Sequence, residues 1–299
     1  MMESVVENIA VIIPSRGRPE ELAETLSSIQ RQTVIPQEII LSVTSEQDVS
    51  PDVLQADNVA LCIGEEGGAA QRNRAIRALH QGIEIVIFLD DDVELAPNYI
   101  EVIRSVFAQR PDLVGLNGNV LVNGGVDRLR ARQIVEEHFR STLECNSNSQ
   151  LYPGAHGLHG CCMSIRRSLF DHIQFDERLK SYSWLEDADI GKRAHRYGTI
   201  GFCPDACLVH LGSRRGRDSA RKFGFAQIMN PVYLANTGVF RWRETVVRHL
   251  IKSIAANVAG VILCDREVDR RGRLYGNAVA LGMICRGRIR PEDILRIRD

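Results

Sequence analysis

No stretch of this 299-residue chain reaches 18 uninterrupted apolar residues, so a spanning helix is not expected from run length alone. The longest candidate, residues 254–264, is interrupted by Asn257 and closed by Lys252 and Asp265. It reads as too short to cross a bilayer, fit either to lie on a membrane surface or to pack against the body. Zinc-site spacing is also missing: Cys203 and Cys207 stand four apart with no second Cys or His pair to complete a tetrahedron. No signal peptide precedes the eight cysteines, which are therefore expected to be reduced core residues of a cytosolic protein, as Cys62 is in Ala-Leu-Cys-Ile. Internal repeats and low-complexity linkers are absent too, which argues against a solenoid and for one main body with helices appended.

What is present describes an ordinary globular chain, 44% hydrophobic and 25% charged, long enough to bury a large core. Its net charge of −1 is unevenly distributed. Residues 241–299 carry 13 Lys+Arg against 7 Asp+Glu, a balance of +6, so residues 1–240 carry −7. A basic tail beside an acidic body suits anionic lipid or a phosphate-bearing acceptor, or is simply a solvated surface.

Apolar runs at residues 9–14, 38–43, 59–63 and 83–89 read as buried strands. Between them, residues 20–30 and 69–80 have helical spacing, and this alternation predicts a parallel sheet flanked by helices. The fourth run ends in Asp90-Asp91-Asp92. Three adjacent carboxylates repel one another unless a cation or hydrogen-bond donors neutralise them, and open α/β sheets bind ligands at the strands' carboxyl edge. A solvated acidic turn is the bland alternative. The same edge would gather Pro14-Ser15, Thr44 and Gly67-Gly68, the glycine pair offering free amides to an anion, with Arg72 and Asn73 in the following turns. A tight turn with an exposed Arg explains that pair as well.

Further along, a helix is expected from Pro97 to Gln109, a strand over residues 114–122 and a helix over residues 128–140. The polar residues 146–150 are read as part of an acceptor-side excursion, and residues 160–165 as a return to the sheet. A second acidic cluster follows in Trp184-Leu185-Glu186-Asp187-Ala188-Asp189. Such residues are either helix caps or a general base beside a sugar ring stacked on Trp184. A short strand over residues 200–203 and the segment Asp205 to His210 come next, and an isolated His at a strand end is more often structural than a ligand. Gly212-Ser213-Arg214-Arg215-Gly216-Arg217 is a basic loop suited to closing over phosphates, or a solvated one. Beyond Ala220 the pattern is helical over residues 223–235, 242–261 and 274–284.

From residue 9 to about residue 212 the chain resembles the GT-A fold, family 2 glycosyltransferases. The resemblance rests on Val-Ile-Ile-Pro-Ser-Arg, Gly-Gly-Ala-Ala-Gln-Arg-Asn, Phe-Leu-Asp-Asp-Asp, Met-Ser-Ile-Arg-Arg, Trp-Leu-Glu-Asp-Ala-Asp-Ile and Val-His-Leu-Gly-Ser, in that order. It implies an α/β GT-A fold with a mainly parallel central sheet and a C-terminal helical appendage. Residues 1–220 would be the catalytic domain, its nucleotide half about 1–115 and its acceptor half about 116–220, with 221–299 an extension packed on the same domain. The implied activity is inverting transfer of a sugar from a nucleoside diphosphate to a hydroxyl of a glycan or lipid-linked glycan, with no nucleic-acid partner. Localisation would be cytoplasmic, with the basic tail suited to the inner face of the membrane. Pro14, Ser15, Arg16, Thr44, Gly68, Arg72, Asp90 and Asp91 would serve the nucleotide-sugar. Asp92 and His210 would hold Mg²⁺ or Mn²⁺, Asp187 would be the base, Glu186 its neighbour, and Trp184 would meet the acceptor. The family's acidic pair after the second strand is replaced by Val43-Thr44, which leaves the nucleotide base open. A nucleotidyltransferase would normally carry a lysine in the glycine-containing segment after the first strand, and Ser15 to Pro19 has none. A catalytically silent sugar-nucleotide-binding protein is the other rival.

Overall fold

The computed structural model describes residues 8–144, 152–153, 157–213, 215 and 219–298. They fall into two compact units, one comprising residues 1–65, 71–174 and 190–216, the other residues 66–70, 175–189 and 217–299. The stretch 146–150, and Arg214, Gly216 and Arg217 of the basic loop, lie outside the described residues.

The first unit is built on one mixed sheet. Its strands are β1 (Ile9–Pro14), β2 (Glu38–Val43), β3 (Val59–Ile63), β4 (Ile85–Leu89), β5 (Val93–Leu95), β6 (Leu113–Asn123), β7 (Tyr152–Pro153), β8 (Cys162–Arg166) and β9 (Thr199–His210). The order is β3-β2-β1-β4-β8-β6-β9-β5, with β7 paired to β9. β1 to β4, β6 and β9 run one way, while β5, β7 and β8 run against them, so the sheet is mainly parallel as expected. Helices α1 (Pro19–Gln30), α3 (Tyr99–Gln109) and α4 (Arg128–Glu144) lie in this unit, as do α2 (Gly68–Ala78) from Gln71 onward and α5 (Glu186–Ala194) from Ile190 onward, the first turns of α2 and α5 belonging to the second unit. α1 begins on Pro19, whose fixed φ suits a first turn, and buries Leu22, Leu26 and Ile29 in the core with Ile13, Leu41, Ile87 and Phe107.

The strand between Asp92 and α3 was not anticipated. β5 is only three residues long and includes Glu94, 2% exposed, which pairs with Arg31 at 2.7 Å, Arg128 at 3.3 Å and Arg132 at 3.5 Å. Those partners come from the C-terminal cap of α1 and from α4, so nothing local marks Val-Glu-Leu as buried. β9 differs too, being one strand where two pieces were expected. Its pairing with β6 jumps between Phe202 and Cys207, and Pro204, which lacks an N–H to donate, sits in that gap.

In the second unit, α6 (Ala220–Asn236), α7 (Trp242–Ile262) and α8 (Arg270–Ile284) enclose Phe225, Ile228, Met229, Ala280 and Ile294. Ser219 caps α6 by accepting from the Lys222 amide, and Asp269 caps α8 by accepting from the Gly272 amide. α7 includes a π-helical stretch over Thr245–Ile251 and is 21 residues long, ending one residue beyond the helix expected over residues 242–261. A buried amide network ties it down. Asn257 donates to Gln227 and Asn277, each at 3.0 Å, and Asn277 donates to the Gly224 carbonyl at 2.6 Å. All seven cysteines among the described residues are free; Cys161, Cys162, Cys203 and Cys207 are buried as expected, whereas Cys264 and Cys285 are exposed.

Candidate active site

The first unit's site is a consequence of register. β1, β2 and β4 are parallel neighbours, so the residues that follow them share one edge. Ser15 shows this directly, its amide donating to the Ser42 carbonyl at 3.0 Å and its hydroxyl to Asp91 Oδ2 at 2.6 Å. Gln71, near the start of α2, bridges the same edge by donating to the carbonyls of Ser15 and Ser42. Pro14 ends β1 half-buried, and Arg16 lies half-buried in the turn that follows. Thr44 stands just past β2.

The three aspartates then divide their work. Asp91 faces into the fold: Ser15 and Arg18 Nη1, at 2.7 Å, satisfy its carboxylate, and Thr25 of α1 donates to its carbonyl. Burial pushes its carboxyl up to about 6 against the opposing pull of Arg18 and Ser15. Asp90 is half-buried, with Arg72 Nη2 3.6 Å from its Oδ1. Asp92 is 1% exposed, and its Oδ2 accepts from the Ser213 amide at 2.6 Å.

His210 reaches this cluster because it closes β9 opposite Val93 of β5, the residue after Asp92. Its Nε2 lies 3.1 Å from Asp92 Oδ1 and 3.6 Å from Asp90 Oδ2. Its Nδ1 meets Asn123 Oδ1 at 2.7 Å, the two residues being register partners in β6 and β9. An Nδ1 that donates to an amide oxygen leaves Nε2 as the ligating nitrogen, the usual arrangement behind a metal-bound histidine. Burial alone would raise the Asp92 carboxyl, yet the adjacent His210 ring, the Ser213 amide and the Arg18 charge together hold it below the ordinary carboxylate range. Asp90, Asp92 and His210 offer three donor atoms within 4.8 Å of one another, and buried Asp92 Oδ1 accepts no hydrogen bond. An anionic, orphaned oxygen facing a lone-pair nitrogen fits a hard divalent cation. Asp92 and His210 were expected here; Asp90 joins them as a third donor. The other cluster, His159 with Cys161 and Cys162, is less apt. Contact with Cys162 and burial keep the Cys161 thiol well above its usual range, and so protonated.

Sequence reasoning missed Asp48. It is 6% exposed, its Oδ2 accepts from the Thr44 amide and hydroxyl and the Ser45 amide, and its Oδ1 accepts from the Gly17 amide. A carboxylate therefore does stand at the edge beyond β2, four residues later than the family pattern puts it. Thr44 is tied to it. The capping-box spacing from Ser45 to Asp48 was the available signal. Asn123 had none, lying 87 residues from the His it orients.

In the second unit, the expectation that the amides opening α2 stand free for an anion fails. Gly68 donates to the Ser181 carbonyl and Ala69 to the Ser183 hydroxyl, each at 3.2 Å. The loop that takes them is strained: Ser181, Ser183 and Leu185 have φ of 64°, 53° and 74°. Left-handed backbone at ordinary residues costs on the order of 1–3 kcal/mol each and concentrates at functional loops. That loop delivers Trp184, which packs edge-on against Phe223 at 5.2 Å, and then Glu186 and Asp187 in the first turn of α5. Glu186 is buried and Asp187 half-buried.

Residues 10–174 match the family model for glycosyl transferase family 2. A curated relative, the glucosyl-dolichyl phosphate glucuronosyltransferase of Haloferax volcanii, is 27% identical over 169 residues, covering 54% of this chain and 53% of that protein. The chain thus spans about half the length of that relative. Among solved structures, GalNAc-T7 with UDP, GalNAc and Mn²⁺ is similar at a TM-score of 0.55 and 16% identity, over 71% of this chain and 44% of that one. S. aureus TarS 1–349 in complex with UDP gives 0.53 and 18%, over 77% and 66%. These likenesses establish a GT-A fold, and the match over more than half its length establishes that the chain belongs to glycosyl transferase family 2.

Proposed function

We propose that the protein transfers a sugar from a nucleoside-diphosphate sugar to a hydroxyl of a glycan or lipid-linked glycan, with inversion at the anomeric carbon. The observation that carries this is the Asp90, Asp92 and His210 cluster with its orphaned Asp92 oxygen. These three residues would hold Mg²⁺ or Mn²⁺ in an Asp-x-Asp arrangement. When bound, the metal would offset the charge that develops on the departing diphosphate. Arg72, beside Asp90, supplies further positive charge to that group. Pro14, Ser15, Arg16 and Thr44 line the nucleoside side, with Asp91 holding Ser15 and Arg18 in place. Asp187 takes the proton from the acceptor hydroxyl, Glu186 positions the acceptor, and Trp184 offers its ring face to a sugar. The relative's dolichyl phosphate and the UDP and Mn²⁺ of the similar structures support a lipid-linked acceptor and a metal-assisted nucleotide donor. Such an acceptor would place the protein at the cytoplasmic face of a membrane.

A panel of nucleotide-sugars screened for Mn²⁺-dependent hydrolysis and transfer tests the reading. Asp187→Asn should lower transfer by roughly a thousandfold or more, the scale of losing a general base, while nucleotide binding stays close to wild type. Transfer by Asp187→Asn at the wild-type rate would reject the assignment of the base.

A further inference from the structure

Helix α7 has one side fixed and one side bare. Thr245 and Asn257 are fully buried, and Leu250 and Ile254 pack on the core of Phe225, Ile228, Met229 and Ala280. On the other side Trp242, Val247, Ile251, Val258 and Ile262 are exposed by 51, 55, 56, 41 and 73%, with exposed Ala255 between them. Their spacing is five, four, four, three and four residues. The step of five ends inside the π-helical stretch over Thr245–Ile251, whose turns are wider than those of an α-helix. Arg243, Arg248 and Lys252 are exposed, and each follows a member of that row by one position, which sets a cationic row along its edge. From Thr245 to Cys264 there is no acidic residue; the one acidic residue of α7, Glu244, lies just before that stretch and pairs with Arg248 at 3.4 Å.

We propose that this face of α7 docks on an anionic phospholipid surface, with the helix lying in the plane of the membrane. The apolar row enters the boundary between headgroups and acyl chains while Arg243, Arg248 and Lys252 meet lipid phosphates, the combination that defines an interfacial helix. The protein's own residues disfavour a spanning arrangement: Lys252 is the eleventh of the 21 residues, at what would be the bilayer centre, and Asn257 is committed to Gln227 and Asn277. They also disfavour a second copy as the occupant. An antiparallel partner helix would set Lys252 against its twin, with no acidic group in the 245–264 stretch to neutralise the pair. The inference goes beyond the proposed reaction and stands without it.

Flotation of the full chain with vesicles of phosphatidylcholine, and with equimolar phosphatidylcholine and phosphatidylglycerol, tests it. The chain should float with the anionic vesicles and favour them by roughly tenfold or more over neutral ones. Ile251→Asp with Ile262→Asp should abolish flotation, with an unchanged melting temperature because both side chains already face solvent. Arg248→Gln with Lys252→Gln should remove the preference for anionic lipid. The proposal is overturned if the wild-type chain stays in the dense fraction, if the double aspartate variant floats as well as wild type, or if vesicle-bound protein resists alkaline carbonate as a spanning helix does. It is also overturned if the double aspartate variant instead dissolves a dimer seen by analytical ultracentrifugation without vesicles. Donor hydrolysis without lipid is a separate readout, so failure here is distinguishable from failure of the proposed reaction.

Discussion

Asp48 shows how a single buried carboxylate can organise an edge at which Ser15, Arg16 and Thr44 were expected to act. Its oxygens gather the Thr44 amide and hydroxyl and the amides of Ser45 and Gly17, tying the loop after β1 to the loop after β2. These donors hold the Asp48 carboxyl below the ordinary carboxylate range although burial works in the opposite direction. Asp48→Ala removes a charged acceptor and leaves its donors unmatched, which should cost about 2–4 kcal/mol in chemical denaturation. The sign with pH follows from the lowered value. A carboxyl whose folded pKa lies below its unfolded one contributes stability that is present above about pH 4 and is lost as pH falls through the folded value. Asp48→Ala should therefore flatten the acid limb of the stability curve, and an acid limb identical to wild type would contradict this role. At this scale the sequence was readable where residues act on near neighbours. The acidic triplet after a buried run pointed to a cation site, but Asn123 and the arginines around Glu94 act across long separations in the chain and left no local trace.

Elements differ in how much of their placement is written locally. β1 to β4 were legible because each is a short apolar run, and β1, β2 and β4 are buried almost throughout; β5 was not, because its central residue is a carboxylate satisfied from two helices. Missing β5 meant missing the reason His210 stands beside Asp92, since the β5 to β9 pairing is what joins them. The helix crossing in the second unit is set by two glycines. A Cβ on Gly224 would run into the backbone of Arg273, and one on Gly276 into the carbonyl of Arg221, so α6 and α8 approach with backbone nearly on backbone. Helical periodicity reveals neither contact. Gly276→Val should force the pair apart and cost about 3 kcal/mol, read as a lowered denaturation midpoint. A midpoint within error of wild type would mean that the close crossing is not needed.

Taken whole, the proposed reaction site and the proposed docking face fall on different stretches of chain. The family match covers residues 10–174 and the residues proposed for the reaction extend to His210, whereas the +6 balance of residues 241–299 and the bare face of α7 lie beyond both. Charge counting alone suggested an anionic partner for the tail; the proposed lipid surface rests on the cationic row beside an exposed apolar one. The proposed cation cluster was expected from the family resemblance as Asp92 with His210, and Asp90 lies beside both at the same edge. The most direct test of that cluster is calorimetric titration of the full chain with uridine diphosphate, guanosine diphosphate and other nucleoside diphosphates, with and without Mn²⁺. At least one should bind wild type only when Mn²⁺ is present, and Asp92→Asn should lose that binding by roughly a hundredfold or more, as expected when an ion loses a charged ligand. Nucleotide binding that is indifferent to Mn²⁺, or Mn²⁺-dependent binding unchanged in Asp92→Asn, would contradict the assignment of Asp90, Asp92 and His210 as the metal site.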